Sequence, residues 1–504
     1  MIALAKVLCL GIDAAEKDLI LGWAGSGALP TFAGLFTRAA WAPIANPVGV
    51  FEGAVWPSLF TGASPARHGR YCYRQLRPGT YELARFPARR LEAEPIWNRL
   101  SRAGRRVAVI DVPKSAVAED LNGMQVVDWG THDPEPDGFR TVPVSLAGEV
   151  TARFGHDPVG ICDRYPSNEG LAVLRDRLLA RVERRGQLIG HYLERGGWDL
   201  FLSVFSESHC AGHQFWHLHD STHPQHPPDA AMPGDPLKDV YVAIDAALGK
   251  ILARTGPDTK VLVWTSHGMG PHYDGSSLLD AVLHALGDGP APLPTRSVPR
   301  LLQRCWRRTP GAVREWLDPV RDRIVRAVYD APTRLDGSAN CFQVPNNDAW
   351  AGIRINVVGR EPRGRIRPGR ELDAFCARLS GDLLELVNVD TGEPAVRGVV
   401  RTSDVHRGPL VDHLPDLLVE WNRERPIAAV CSPRTGRVEG PYAGPRTGDH
   451  RPDGLCFLLG TPLAPGRMER SVSVEDVAPT IASLLGIRPP DIDGEALVTL
   501  SDYR

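Results

Sequence analysis

DLFLSVFSESHCAGHQFWH spans residues 199–217, and its two halves carry different patterns. DLFLSVF (199–205) is an apolar run of strand length, and the segment after it places His209 and His213 four residues apart. A run that is apolar on both faces is the habit of a strand covered on both sides, as in parallel sheets. Residues i and i+4 share one face of a helix, so both imidazoles can hold one ion if a helical turn begins there. The pattern of a strand followed at once by a ligand-type residue recurs twice: KVLCLGI (6–12) ends at Asp13, and KVLVWTS (260–266) ends at His267. Open α/β sheets bind ligands outside the carboxyl ends of their strands. Three segments far apart in sequence therefore point to one place.

Working outward, short apolar runs alternate with amphipathic segments. Strands are expected at 105–113, 416–421 and 455–460, and helices at 29–36, 96–104, 171–196 and 240–255. A helix over 474–486 starts at Ser473 as N-cap and stops at Gly486. This rhythm predicts an α/β fold: a doubly wound, mostly parallel sheet with helices on both faces. Between 276 and 400 the rhythm changes. An Arg-rich helical stretch (296–330) and IRINVVGREP (353–362) read as an inserted cap over the C-terminal edge of the sheet. The expected division is 1–275 and 401–504 for the core and 276–400 for the insertion. GVFEGAVWPSLFTGASPARHG (49–69) reads as a Gly- and Pro-punctuated turn leading into a helix, able to offer backbone N–H groups to an anion.

Composition excludes several classes. With 504 residues, 43% hydrophobic, 23% charged and a formal charge of −2, the chain has no basic field to hold nucleic acid or anionic lipid. Nine scattered cysteines without a CxxC pair argue against a disulfide framework or a thiolate zinc site and for a reducing, cytoplasmic setting. The N-terminus reads as a first strand rather than a signal peptide, and no apolar run approaches the ~20 residues that span a bilayer. The expected partner is a small anionic substrate.

The sequence resembles the alkaline phosphatase superfamily, in its type I phosphodiesterase/nucleotide pyrophosphatase-like branch. The matching stretches are GIDAAE (11–16), WPSLFTGASPARHG (56–69), IWNRLSRAGRRVAVIDVP (96–113), FSESHCAGHQFWHLHD (205–220), SHGMG (266–270), PDLLVEW (415–421), GDHRPDG (448–454) and VEDVAPTIASLLGIRPPDIDGEAL (474–497). The resemblance implies two divalent metal ions, usually zinc or manganese, and a Thr or Ser nucleophile between them; zinc is the first expectation, and the ligand types present would also suit manganese or iron. Its metal positions fall on Asp13, His213, His267 and His450. The nucleophile position falls on Glu52, and no Ser, Thr or Cys occurs from Arg38 to Pro57. Two family Asp ligands are replaced by His209 and Ser266.

The replacements look reciprocal. One site becomes His209, His213 and His450, and the other Asp13, Glu52 and His267. Decay would more often leave Ala, Gly or Asn, so the reading is a rebuilt metal centre. The leading expectation is a metallohydrolase of an anionic ester (phosphodiester, phosphate monoester or phosphonate). It would use metal-bound hydroxide, with Glu52 as ligand and general base. Two alternatives stay open: iron or manganese redox chemistry on the two-carboxylate, one-His set, and a non-catalytic protein that binds a metal and an anion. His217 and Glu207 read as supports of the His pair. His68, His219, His223, His226 and His272 read as packing, loop or turn residues, and Asp404 and His406 as loop residues without a partner. Arg354 and Arg360 in the insertion read as surface residues that could clamp an anion.

Overall fold

Leu8, Leu10 and Ile12 point to one face of the first strand, and Val7 and Cys9 to the other; all are buried. A strand buried on both faces belongs at the centre of a sheet. In the computed structural model, which describes residues 5–135, 137–164, 168–228, 234–291, 330–440, 446–499 and 502, it does. Ala5–Ile12 pairs in parallel with Trp198–Phe205 on one side and Lys260–Thr265 on the other. Val107–Ile110 continues the parallel sheet next to Trp198–Phe205, and Gly123–Val127 follows it. The other direction is antiparallel: Gly454–Leu459 pairs with Lys260–Thr265, and Ala40–Ala45 pairs with Gly454–Leu459.

Helices cover both faces of this ten-stranded sheet. Pro30–Arg38, Asn168–Glu194 and Pro236–Leu252 bury their apolar stripes on one face. Phe51–Thr61, Ile96–Arg102 and Val477–Leu484 do so on the other. The fold is thus the doubly wound α/β arrangement the strand pattern predicts. Ser473 caps the last of these segments through a capping box with Asp476. The helix Lys17–Gly25 escaped the periodicity argument because only Ile20 and Ala24 are buried on it.

A second, four-stranded antiparallel sheet runs in the order Cys341–Asn347, Trp350–Ile355, Leu417–Trp421, Val396–Arg401 and has its own apolar cluster. It draws strands from both sides of residue 400, and Leu417–Trp421, read from sequence beside the core strands, belongs to it. The Arg-rich stretch 296–330 lies, but for Asp330, outside the described residues. Arg354 and Arg360 are not surface clamps. Arg354 is 4% exposed and binds Glu361 and the carbonyls of Asp412 and Leu414. Arg360 binds Asp416 and Glu361. Both guanidiniums brace this second sheet because each has carboxylates within its own subdomain.

Candidate metal centre

The parallel strands deliver their ends to one point. Asp13 follows Ile12, His209 lies in the first turn of the helix Glu207–His219 after Phe205, and His267 follows Thr265. A β-hairpin completes the ring: Gly268–Pro271 pairs with Gly448–Arg451, setting Met269 opposite His450. The hairpin sits close on the histidine helix because position 448 has no side chain. A Cβ there would lie 2.1 Å from the Gly212 carbonyl oxygen.

His209 Nε2 lies 3.1 Å from His213 Nε2 and 3.1 Å from His450 Nε2. The other ring nitrogens are committed elsewhere. His209 Nδ1 donates to Asp13 Oδ2 at 2.7 Å, His213 Nδ1 donates to the Gly448 carbonyl at 2.7 Å, and His450 Nδ1 lies 3.4 Å from Asp449 Oδ1. With their Nδ1 protons so placed, these imidazoles turn Nε2 lone pairs towards one another. Arg446 Nη1 donates to His213 Nε2 at 3.4 Å. Burial, then Arg446 and the neighbouring rings, holds His213 well below its ordinary pKa, and burial with His267 and His209 does the same for His450. The Nε2 atoms of His213 and His450, both on rings that burial keeps neutral, thus converge on that of His209. The donor set therefore fits a divalent ion of the kind imidazole favours.

Asp13 is 3% exposed, and its Oδ1 accepts from Trp56 Nε1 at 2.7 Å and Ser266 Oγ at 2.9 Å. Burial alone would raise this carboxyl; His209, then His267 and Trp56, outweigh it and hold it well below the usual range. A carboxylate accepts about four hydrogen bonds, so Asp13 can orient His209 and still offer a lone pair. Ser266 Oγ also receives the Ala14 N–H at 3.0 Å. That bond helps fix Ala14 in the left-handed region at φ 52°. The His267 ring lies 4.5 Å from His450 and 5.9 Å from His209, and burial pushes its pKa down to about 4.

Glu52 is bonded to a lysine rather than to these rings. The segment 49–69 is less turn than expected: Phe51–Thr61 is already helical, and Glu52 occupies its first turn. Lys114 Nζ lies 3.4 Å from Glu52 Oε1 and donates to the Glu52 carbonyl. Glu52, Lys114 and His450 line one cavity of about 670 Å³ together with Arg70, His272 and Arg446.

Two contributors escaped the sequence reading. Trp56 sits forty-three positions from the aspartate it binds. His132 stacks on His209, with ring centres 4.0 Å apart and planes at 23°. It follows VVDWGT, a strand and its C-terminal loop, so the strand-end rule applied to Gly123–Val127 would have found it. Donor atoms of His132, His209 and His213 lie within 4.8 Å of one another.

The remaining histidines are held structurally. His217 meets Thr447 Oγ1 at 3.0 Å, His219 binds Asp235 at 2.6 Å, His226 donates to the His217 carbonyl, and His223 stacks on Tyr273. His68 meets Ser58 Oγ at 3.0 Å, and His272 binds Asp274 at 2.7 Å. His406 has a partner after all, since it donates to the Val48 carbonyl at 2.8 Å. Glu207 is fully buried, accepts from Arg185 Nε at 2.9 Å and forms an ion pair with Arg181 Nε at 3.1 Å.

Among solved structures, phosphonoacetate hydrolase from Sinorhizobium meliloti 1021 in complex with phosphonoformate aligns at TM-score 0.52 and 14% identity, covering 96% of each chain. Its complex with phosphonoacetate gives TM-score 0.52 and 13% identity over 96% of each chain. Murine ectonucleotide pyrophosphatase/phosphodiesterase 5 in complex with AMP gives TM-score 0.49 and 12% identity over 97% of each chain. The first two likenesses are of fold. No curated protein sequence matches the chain. The model of the family described as type I phosphodiesterase / nucleotide pyrophosphatase matches residues 7–421, most of the chain, and the protein therefore belongs to that family.

Proposed function

We propose that the protein is a cation-dependent hydrolase of an anionic phosphate or phosphonate ester, in which water rather than a side-chain hydroxyl attacks phosphorus. The observation that carries this reading is the set of Nε2 atoms at His209, His213 and His450, whose Nδ1 positions face acceptors. His209, His213 and His450 would hold one divalent ion, and Asp13, His267 and Glu52 would contribute to a second. Bound divalent ions lower the pKa of water and offset the charge that develops on the phosphoryl oxygens.

The chain's own residues do the rest. Glu52, Asp133, Asp163, Asp330 and Asp348 line the cavity, against Arg70, Arg85, Lys114 and Arg446. His272 joins the cations: burial opposes its charge, but Asp274 and Asp449 override burial and push its pKa up to about 10. Burial likewise opposes the charge of His132, but Asp133 and Cys210 override it and push its pKa up to about 9, so six cations meet five carboxyl groups and divalent ions would add to the attraction for an anion. Glu52, with Lys114 Nζ 3.4 Å from its Oε1, would take a proton from the attacking water. Among the described residues, Tyr73 and Ser276 are the hydroxyls that line the cavity, and Ser276 is already bonded to the Asp348 carbonyl. The likeness to phosphonoacetate hydrolase makes phosphonoacetate a probe worth including.

The test is metal-reconstituted assay of wild type against nitrophenyl phosphodiester, nitrophenyl phosphate and phosphonoacetate, with Glu52→Gln and His209→Ala in parallel. The expected result is turnover that chelator abolishes, with both variants lowered at least 100-fold. Single displacement further predicts inversion at a chiral thiophosphoryl phosphorus. Retention would assign a covalent intermediate and remove the water reading. Silence on all three substrates with metal bound would favour a binding protein.

A further inference from the structure

Beside the metal centre lies a second cluster that the proposed hydrolysis does not use. His132 Nδ1 is 3.3 Å from Cys210 Sγ and 3.5 Å from Cys162 Sγ. The three donor atoms all lie within 4.8 Å of one another. They arrive from three separate places: the loop after Gly123–Val127, the single turn Cys162–Arg164, and the first turn of Glu207–His219. Cys162 and Cys210 are 2% and 1% exposed, and His132 Nε2 is buried without a hydrogen-bond partner. Arg181, fully buried, donates from Nη2 to Cys210 Sγ at 3.4 Å, the kind of outer N–H that supports a thiolate ligand. His132 and Cys162 also line the cavity, so the cluster is covered on the protein side and open on the other.

We propose that Cys162 Sγ, Cys210 Sγ and His132 Nδ1 bind a further divalent cation of the thiophilic class, with zinc as the natural occupant. The sequence argued against a thiolate zinc site because no two cysteines lie close in the chain; the fold brings two together from forty-eight positions apart. Two sulfurs and one imidazole nitrogen match the three-ligand sets of zinc sites that leave a fourth position open. Thiolates also discriminate against manganese and magnesium, which oxygen ligands favour. Both cysteines lose their protons on binding, and the ion together with Arg181 offsets the two negative charges. The alternative fate of such a pair is a disulfide, which would remove both ligands at once.

Cobalt(II) distinguishes these outcomes without any need for turnover. The full-length chain is stripped with chelator under reductant and titrated with cobalt. The expected result is a near-ultraviolet thiolate-to-cobalt charge-transfer band, lost in both Cys162→Ser and Cys210→Ser, with bound cobalt falling by about one equivalent per chain. The visible absorption from the imidazole site should persist in both variants. Cys162→Ser lies on the cavity wall and keeps the test available if Cys210→Ser does not fold. Absence of the band in reduced wild type, or its survival in both variants, overturns the proposal. A Cys162–Cys210 disulfide in protein purified without reductant, together with no cobalt band after reduction, would instead make the pair a redox element.

Discussion

Trp56 donates its indole N–H to the same carboxylate that orients His209, and that single contact makes a residue with no titratable group part of the candidate metal centre. Trp56→Phe keeps most of the ring and deletes the donor. Partners that orient a ligand in this way are typically worth about 10–100-fold in metal affinity. We expect Trp56→Phe to weaken metal binding by that range in a competition titration against a chelator, with little change in fold by circular dichroism. Wild-type affinity in the variant would remove Trp56 from the centre. The convergence of Asp13, His209, His213 and His267 was readable at this scale because each follows a strand end or repeats a spacing, whereas His450 came only from the family resemblance. Trp56 was not, since hydrogen bonding between distant side chains leaves no period in the sequence. His132 was hidden for a different reason: its strand, Gly123–Val127, is short, carries Gln125 at its centre and ends five residues before the histidine.

At the scale of elements, the histidine helix is fixed by two contacts of opposite character. On one side, the backbone of the Gly448–Arg451 strand packs directly on Gly212. Gly448→Ala would place a methyl carbon 2.1 Å from the Gly212 oxygen and 3.0 Å from Trp216 Cβ. The strand carrying His450 must then shift away from the helix carrying His209 and His213. Overpacking of this kind costs about 1–3 kcal/mol, and we expect both a lowered melting temperature and lowered metal content, read by calorimetry and metal analysis. On the other side, Glu207 ties the helix to Arg181 and Arg185 of the long helix Asn168–Glu194, and Arg185 in turn binds Asp111 at 2.6 Å. All four side chains are fully buried. Glu207→Gln leaves Arg181 and Arg185 with Asp157 and Asp111 alone as counter-charges, and breaking a buried network costs about 3–5 kcal/mol. Denaturant unfolding should show that loss; a change within 1 kcal/mol would mean the arginines find other partners. Sequence placed Glu207 beside the His pair correctly but could not orient it, because helix phase alone does not say which neighbour supplies the cations.

For the whole molecule, the parallel core was legible and the second sheet was not. Strands such as KVLCLGI declare themselves by being apolar throughout, whereas Cys341–Asn347 and Val396–Arg401 mix polar and apolar residues and are only partly buried. The two units meet the solvent together around the cavity, where His272, bonded to Asp274, stands on the strand edge opposite Thr447. Two histidines give the global stability opposite pH limbs. His272 has a folded pKa pushed from 6.5 up to about 10, so its contribution is fully present below pH 6.5 and is lost as pH rises through about 10. His68 is pushed by burial and Arg70 from 6.5 down to about 3, so its contribution is present above pH 6.5 and is lost as pH falls towards 3. The expected outcome is a melting temperature that declines on both sides of neutrality at constant metal concentration. His272→Asn should be less stable than wild type at pH 6.5, on the order of 1–3 kcal/mol for a buried, charge-assisted bond. The deficit should shrink as pH approaches 10, where wild-type His272 has also lost its proton. His68→Asn should show the reverse, with a deficit near pH 7 that narrows in acid. A deficit for His272→Asn that stays constant from pH 6.5 to 10 would mean that the imidazole is neutral in the fold, and the cavity would then hold one cation fewer with which to meet an anionic ester.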